Sequence, residues 1–192
     1  MIQRVIPLNF TNTVTLSGLI HHLSRKKEHS YFPFSVRQDN TLDGTPRKDF
    51  LNARAFPKDL QDKLKSLAEN TPVLVHGILR SSKGSGELFL DVTDAEILNE
   101  PSQPENNVTL SGAMHVIKAQ NEGITGAGQY IRFAVRQEDP VKGRDFIVVR
   151  VFDDGLKEIL AGKSDNDPVK VEGTLRSSRG SGVNYVRCSE IE

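Results

Sequence analysis

The chain has 192 residues, with 25 lysines and arginines against 25 aspartates and glutamates, so its formal net charge is zero. Bulk charge therefore favours neither nucleic acid nor membrane as a partner, and only local charge clusters can indicate one. A single cysteine, Cys188, excludes an intramolecular disulfide framework and fits a reducing compartment, and we expect neither a signal peptide nor a membrane span.

The first half of the chain predicts five strands and one helix. The strands alternate polar and apolar residues and are rich in β-branched and aromatic side chains. The helix carries Leu60, Leu64 and Leu67 at positions i, i+4 and i+7, and Pro57 suits its first turn. In chain order the elements are strands over 13–23, 31–38 and 50–56, a helix over 57–70, and strands over 71–82 and 86–98 that form a hairpin around SKGSG.

The second half repeats the first. NTVTLSG from residue 12 returns as NNVTLSG from residue 106, FLNARAF from 50 as FIVVRVF from 146, and GILRSSKGSG from 77 as GTLRSSRGSG from 173. The second helix, in DDGLKEILAG, is expected to be shorter than the first. The polar segment NEPSQPENN predicts a linker, with domain 1 at residues 1–100, the linker at 101–107 and domain 2 at 108–192. The repeated order predicts an all-β protein with one short helix per domain, built as two tandem five-stranded OB-fold barrels.

Strand three of each half carries the main candidate site. Alternation along a strand places an aliphatic set, such as Ile147, Val149 and Val151, toward the barrel core. The opposite face then presents the pattern Phe-x-x-x-Arg-x-Phe to solvent, where rings can stack unpaired bases and the guanidinium can meet phosphate. Packing of these rings beneath the helix or at a dimer contact is the alternative. The residues concerned are Phe50, Arg54 and Phe56 in the first half and Phe146, Arg150 and Phe152 in the second.

Strand two and two loops add basic and aromatic residues to the same predicted surface. In OB-folds the loops between strands one and two and between strands four and five border the binding groove. A solvated turn is the alternative for the hairpins. Strand two contributes Tyr31, Arg37, Tyr130, Arg132 and Arg136, the hairpins contribute Arg80, Lys83, Arg176 and Arg179, and the other loop contributes Arg25, Lys26 and Lys27.

With these residues the sequence resembles the bacterial single-stranded DNA-binding protein family. The resemblance is carried by NNVTLSGAM, RDFIVVRVFDDGLKEIL and VKVEGTLRSSRG in the second half, and more loosely by the first half. It implies sequence-tolerant binding of single-stranded DNA in replication, recombination or repair, in the bacterial cytoplasm or nucleoid. It also implies a homodimer that assembles four OB-folds, and base stacking at Phe146 and Phe152, with Phe50 and Phe56 following by the repeat. The sequence departs from the family in having no tryptophan, and we expect a member that lacks the family's acidic tail.

The sequence lacks the motifs of several enzyme and metal sites. The turn SSKGSG lacks the Gly-Lys-Ser/Thr of a phosphate-binding loop, the histidines lack the spacing of a zinc site, and no nucleophile elbow is present. We therefore expect no catalysis, no metal, no cofactor and no small-molecule substrate. A primosomal relative of the same fold, or an OB-fold that binds protein with weak affinity for nucleic acid, is the alternative. The residues do not distinguish DNA from RNA as the ligand.

Overall fold

The computed structural model describes residues 10–23, 29–42, 44–101, 103–117, 122–125, 128–139 and 143–192. Within them, the first half of the chain has the element order expected from the sequence, and the second half has the same order with one additional strand. The first half contains β1 (Asn12–His22), β2 (Phe32–Leu42), β3 (Thr45–Ala55), α1 (Lys58–Lys65), β4 (Pro72–Ser81) and β5 (Leu88–Ile97). The second contains β6 (Asn106–Val116), β7 (Glu122–Thr125), β8 (Gly128–Asp139), β9 (Gly143–Val151), α2 (Asp154–Ala161), β10 (Pro168–Ser177) and β11 (Asn184–Ile191).

Each half closes into a small barrel. In the first, β1 pairs with both β2 and β4, β2 continues to β3, and the parallel pair β3–β5 completes the ring through β4. The second repeats this ring through β6, β8, β9, β11 and β10, again with one parallel pair, β9–β11. The predicted fold of two tandem OB-fold barrels is confirmed.

The second barrel carries a strand that the sequence analysis missed. β7 has four residues and pairs with β8 at the end of the sheet. Its sequence, EGIT, is too short to show the alternation by which a strand is recognised, and it lies among glycines that predict a loop.

The barrel cores follow the predicted alternation of strand three. Leu51, Ala53 and Ala55 on β3 are buried, as are their counterparts Ile147, Val149 and Val151 on β9. Because successive side chains of a strand point to opposite faces, this burial turns the aromatic and basic residues between them to the outer face.

The two helices are equally long, so the expectation of a shorter second helix was wrong. Each has eight residues. The first ends at Lys65, and Leu67 packs against the core from the turn that follows. The periodic leucines that suggested a longer helix are therefore explained by burial rather than by continued helical backbone. The second helix is capped by the side chain of Asp153, which accepts a hydrogen bond from Leu156 N at 3.0 Å.

The barrels join through their first strands. β1 and β6 pair antiparallel, with Val14 opposite Val108, its own counterpart in the repeat. On either side the pairing is reciprocal, because Asn12 faces Leu110 while Leu16 faces Asn106. The halves are thus related by an approximate twofold axis, in the manner of a symmetric dimer fused into one chain. β6 begins at Asn106, inside the segment predicted as the linker.

Candidate nucleic-acid interface

An arginine between aromatic rings forms the centre of the candidate site on the first barrel. The guanidinium carbon of Arg54 lies 4.9 Å from the ring centroid of Tyr31 and 3.8 Å from that of Phe89 on β5. Its Nη2 donates a hydrogen bond to Ser82 Oγ at 2.8 Å. Phe56 lies 5.3 Å from Tyr31 between ring centroids and remains 40% exposed. The cluster therefore places an open ring beside a guanidinium that is fixed between two other rings, an arrangement on which an unpaired base can stack.

The second barrel repeats this cluster at equivalent positions. The guanidinium carbon of Arg150 lies 4.9 Å from the centroid of Tyr130 and 4.0 Å from that of Tyr185. The rings of Tyr130 and Phe152 are 5.3 Å apart between centroids. A further cation is present here, because the guanidinium carbon of Arg187 lies 4.3 Å from the Phe152 centroid. Phe152 is consequently half-buried, whereas its counterpart in the first barrel is exposed.

The other phenylalanine of each pattern contacts a histidine. The rings of Phe50 and His21 meet edge to face at 5.1 Å between centroids, and those of Phe146 and His115 do the same at 5.1 Å. His21 Nδ1 lies 2.5 Å from a carboxylate oxygen of Glu69, which orients the imidazole. Phe50 remains 38% exposed and Phe146 is half-buried. Each barrel thus carries two ring surfaces on its outer face, separated along strand three.

Two predicted strand-two arginines lie directly beside these phenylalanines. Arg37 on β2 is the register partner of Phe50, and Arg136 on β8 is that of Phe146. Arg37 Nη1 donates to Asn70 Oδ1 at 2.9 Å. The Nε atom of each arginine also lies close to the carboxylate two residues further along its own strand, at 3.5 Å for Arg37 and 3.6 Å for Arg136. Both guanidiniums are half-buried and already partly neutralised.

Several residues of these clusters were missed from sequence. Phe89 and Tyr185 complete the arginine sandwiches from strand five, Arg187 covers Phe152, and His21 and His115 contact the other rings. The internal repeat contained the signal, since Phe89 and Tyr185 are aromatic residues at the same offset of 96 as the strand-three pattern. Contact between strands three and five is a tertiary feature, because these two strands pair in parallel across the helix and strand four.

The hairpin-stem arginines differ from their prediction as phosphate ligands. Arg176 Nη1 lies 3.1 Å from Asp49 Oδ2 on β3 of the other barrel. In the equivalent contact on the other side of the approximate twofold axis, Arg80 Nε lies 3.4 Å from Asp145 Oδ2 on β9. Both arginines are therefore held by carboxylates in the contact between barrels, where a phosphate would have to displace an ion pair.

Asp49 is the centre of the stronger of these two contacts. Its fully buried carboxylate accepts hydrogen bonds from Ser177 N at 3.1 Å and Ser177 Oγ at 2.9 Å, and Arg47 Nη2 lies 2.8 Å away. Burial favours the neutral acid, but the hydrogen bonds from Ser177 and the charge of Arg47 outweigh burial and lower the pKa of Asp49 below its ordinary value of 3.8. The ionised carboxylate thus locks the second hairpin onto the first barrel.

The other repeated motifs also lie in this contact. Asn12 exchanges two hydrogen bonds with the backbone of Leu79 and donates to Gln137 Oε1 at 2.8 Å. Asn106 makes the equivalent bonds in the other half, including one to Gln38 Oε1 at 2.8 Å. The duplicated NxVTLSG, VRQ and LRSS segments therefore have a structural role, since each half uses them to hold the other.

The tips of the hairpins, unlike their stems, remain available for contact with a ligand. Lys83 and Arg179 are exposed and have no ion-pair partner among the described residues. The tips turn through glycines with φ between 68° and 94°, a conformation that glycine adopts without strain. Exposed cations on tight turns are the hairpin residues best placed to contact phosphate.

The second hairpin borders two grooves on the outer face of the first barrel. One groove brings Phe50 and Lys48 of β3 together with Arg179. The other brings Tyr31 and Arg54 together with residues 181–183 of the same hairpin. Phe50 and Tyr31 of the first barrel thus lie in grooves that the second barrel completes.

Of the remaining predicted site residues, Arg132 on β8 lies directly opposite Arg150 and is half-buried. Arg25, Lys26 and Lys27 lie outside the described residues. Across the described ranges, no three histidine, cysteine or acidic side chains are grouped so that they could hold a metal ion. Neither helix in that part of the chain has the length and apolarity needed to cross a bilayer.

No family model matches this sequence, and no curated protein matches it. Solved structures do. The wild-type single-stranded DNA binding protein from Thermus aquaticus matches with a TM-score of 0.72 at 17% identity, covering 96% of this chain and 93% of that chain. A deletion mutant of that protein gives a TM-score of 0.70 at 17% identity, with 95% and 94% covered. The small single-stranded DNA-binding protein from Streptomyces coelicolor matches 47% of this chain and 94% of its own, at 19% identity and a TM-score of 0.37.

The chain therefore shares the fold of the Thermus aquaticus protein along nearly its whole length, both barrels included. The tandem OB-fold architecture implied by the sequence resemblance is confirmed at the level of fold.

Proposed function

We propose that this protein binds single-stranded DNA with little sequence preference and protects it during replication, recombination or repair. The observation that carries the proposal is the duplicated cluster on the outer face of strand three, in which an arginine lies between rings. The phenylalanine beside it is exposed in the first barrel and half-buried in the second. Every base has a π-face, so stacking tolerates any sequence. The fold shared with a single-stranded DNA binding protein supports the same conclusion.

In this proposal the ring surfaces and cations have separate tasks. Bases stack on Phe50 and Phe56 in the first barrel and on Phe146 and Phe152 in the second, and phosphates contact the exposed hairpin tips. The groove that contains Phe50 and Arg179 would supply both kinds of contact to one stretch of single-stranded DNA. Duplex DNA offers no unstacked bases, so it would retain the phosphate contacts alone.

The test is a titration of a fluorescein-labelled oligothymidylate by anisotropy, beside a duplex of equal length and at two salt concentrations. Single-strand binding is expected to exceed duplex binding and to weaken with salt by a slope of about −0.7 per neutralised phosphate. Phe56→Ala combined with Phe152→Ala is expected to weaken binding by about 5- to 150-fold for each stacked base lost, which corresponds to roughly 1–3 kcal/mol.

Ile159→Ala is the matched control, because Ile159 is an exposed apolar residue on α2 rather than on the outer face of strand three. Its oligonucleotide affinity should equal that of the unaltered protein. Unchanged affinity of the phenylalanine double variant, with far-UV circular dichroism intact, would refute stacking on these rings. A protein-interaction module would show neither single-strand preference nor the salt slope.

We also propose that two chains associate, which would bring four OB-folds together, and that the protein works in the cytoplasm, as its single cysteine suits. Sedimentation equilibrium should then give twice the 21.3 kDa mass of the chain. A chain-mass species at micromolar concentration would refute the dimer without affecting the DNA-binding proposal.

A further inference from the structure

A row of three arginines crosses the outer face of the second barrel. Arg132 on β8 pairs in register with Arg150 on β9, and Arg150 pairs in register with Arg187 on β11. Neighbouring strands lie about 4.8 Å apart, so three positive charges occupy adjacent positions across the sheet. Like charges in such positions repel one another and destabilise the sheet.

The first barrel has a different row at the equivalent positions. Pro33 on β2 pairs with Arg54 on β3, and Arg54 pairs with Asp91 on β5. The formal charge of this row is therefore zero, against three positive charges in the second barrel. The two clusters share the central arginine and have rings at equivalent positions, with Phe89 in the first and Tyr185 in the second. The residues beside that arginine on the neighbouring strands differ in charge.

The central arginines also differ in their own hydrogen bonds. Arg54 donates to Ser82 Oγ, whereas Arg150 leaves its buried Nε without a hydrogen-bond partner in the described part of the chain. Arg187 likewise leaves Nη1 buried and unpaired there, and no carboxylate among the described residues lies within 4 Å of either guanidinium. Buried donors are normally hydrogen-bonded, so an unpaired donor marks a position where a water or a ligand can bind. Because no acid in the described ranges neutralises these two guanidiniums, an anion is the ligand that they favour.

We infer that the two barrels bind the nucleic-acid backbone unequally: the second barrel holds phosphates through Arg150 and Arg187 with Arg132 beside them, and the first binds mainly by stacking. This inference rests on the proposed function and assigns different contacts with the single strand to the two barrels. A strand would be anchored at the second barrel by charge and extended over the first barrel by its bases. High salt would release the second barrel more than the first.

The internal repeat supplies a matched pair of variants for the test. Arg150→Met and Arg54→Met each remove one guanidinium while keeping a flexible apolar side chain against the flanking rings. Affinity for fluorescein-labelled oligothymidylate is measured by anisotropy from 0.05 to 0.4 M NaCl. Arg150→Met is expected to reduce the magnitude of the salt slope by about 0.7, the value for one phosphate, while Arg54→Met leaves the slope unchanged.

Arg187→Gln provides a second variant in case the methionine variants fail to fold, and it too should reduce the slope by about 0.7. Far-UV circular dichroism checks folding in each case. Equal slope changes in the Arg54 and Arg150 variants, or an unchanged slope in Arg187→Gln, would overturn the asymmetry while leaving single-strand binding intact. Failure of the unaltered protein to bind oligothymidylate would instead overturn the proposed function, and this inference with it.

Discussion

The substitution Asp49→Asn tests how the two barrels are held together. It keeps the size of the side chain but removes a negative charge that faces Arg47, Arg176 and Ser177. The new amide group brings donors toward a site that already consists of donors. Two guanidiniums would then be left in the contact without the carboxylate that neutralises them.

The expected loss in the free energy of unfolding follows from the burial of the Asp49 side chain. The Asp49 side chain is 0% exposed, and removal of one member of a buried ion pair costs about 3–5 kcal/mol. The matched variant is Asp145→Asn, whose side chain is 14% exposed and accepts hydrogen bonds from Ser81. There Arg80 keeps a second carboxylate, Asp91, at 3.8 Å. The cost of Asp145→Asn is therefore expected to be about 1–2 kcal/mol.

Urea unfolding at pH 7, followed by far-UV circular dichroism at one fixed protein concentration, measures both variants. With a denaturant slope of about 2 kcal/mol per molar, Asp49→Asn should lower the midpoint by roughly 1.5–2.5 M and Asp145→Asn by less than about 1 M. Equal losses in the two variants, or a loss under about 1.5 kcal/mol for Asp49→Asn, would refute the argument that burial of this carboxylate determines its contribution.

The Asp49 carboxylate also makes the stability of the contact between the barrels depend on pH in the acid range. Its pKa is lower in the folded protein than the ordinary 3.8, because the hydrogen bonds from Ser177 and the charge of Arg47 outweigh the effect of burial. Its contribution to stability is therefore complete above pH 3.8 and is lost as the pH falls through the lowered folded value. The stability difference between the unaltered protein and Asp49→Asn should shrink over that same interval, and a constant difference would contradict the lowered pKa.

Two further predictions concern the hairpins and the thiol. Lys83→Ala and Arg179→Ala should each reduce the magnitude of the salt slope of oligonucleotide binding by about 0.7, because both hairpin tips are exposed. Arg176→Ala should instead lower the urea midpoint, because Arg176 pairs with Asp49. A lower urea midpoint for the tip variants and a smaller salt slope for Arg176→Ala would refute the distinction between tip and stem. Burial raises the pKa of the Cys188 thiol to about 11, so at pH 8 it should react with an aromatic disulfide reagent only at the rate of unfolding. Rapid modification of the folded protein would contradict its burial.

The fold was largely predictable because its signals are local and occur twice. Alternation along strand three identified both faces correctly, and burial of Leu51 and Ile147 follows that alternation. The matched offsets identified the duplication without any structure. Elements with weak local signals were the ones mispredicted: β7 is too short to alternate, and Leu67 extended a helical pattern past the end of the helix.

The candidate site was predictable only in part, for a different reason. Arg54 lies on β3 and Phe56 follows it by two residues, just past the end of the strand, so their common face can be deduced from spacing alone. Phe89 is brought to Arg54 by a parallel pairing across intervening elements, and no local pattern encodes that contact. Arg150 has an arginine beside it on each neighbouring strand, whereas Arg54 has an aspartate on one of them. This difference cannot be predicted from the sequence, because it depends on which residues the sheet places in register.

The sequence alone determined that the chain is a duplication, that each half is an OB-fold barrel, and that strand three turns rings and an arginine away from the core. These properties depend on periodicity and on repetition, both of which are written along the chain. Only the tertiary structure decided that the duplicated hairpin stems hold the two barrels together instead of facing a ligand. The reason is that Asp49 and Arg176, separated by 127 residues, become ion-pair partners only when the approximate twofold brings the two halves into contact.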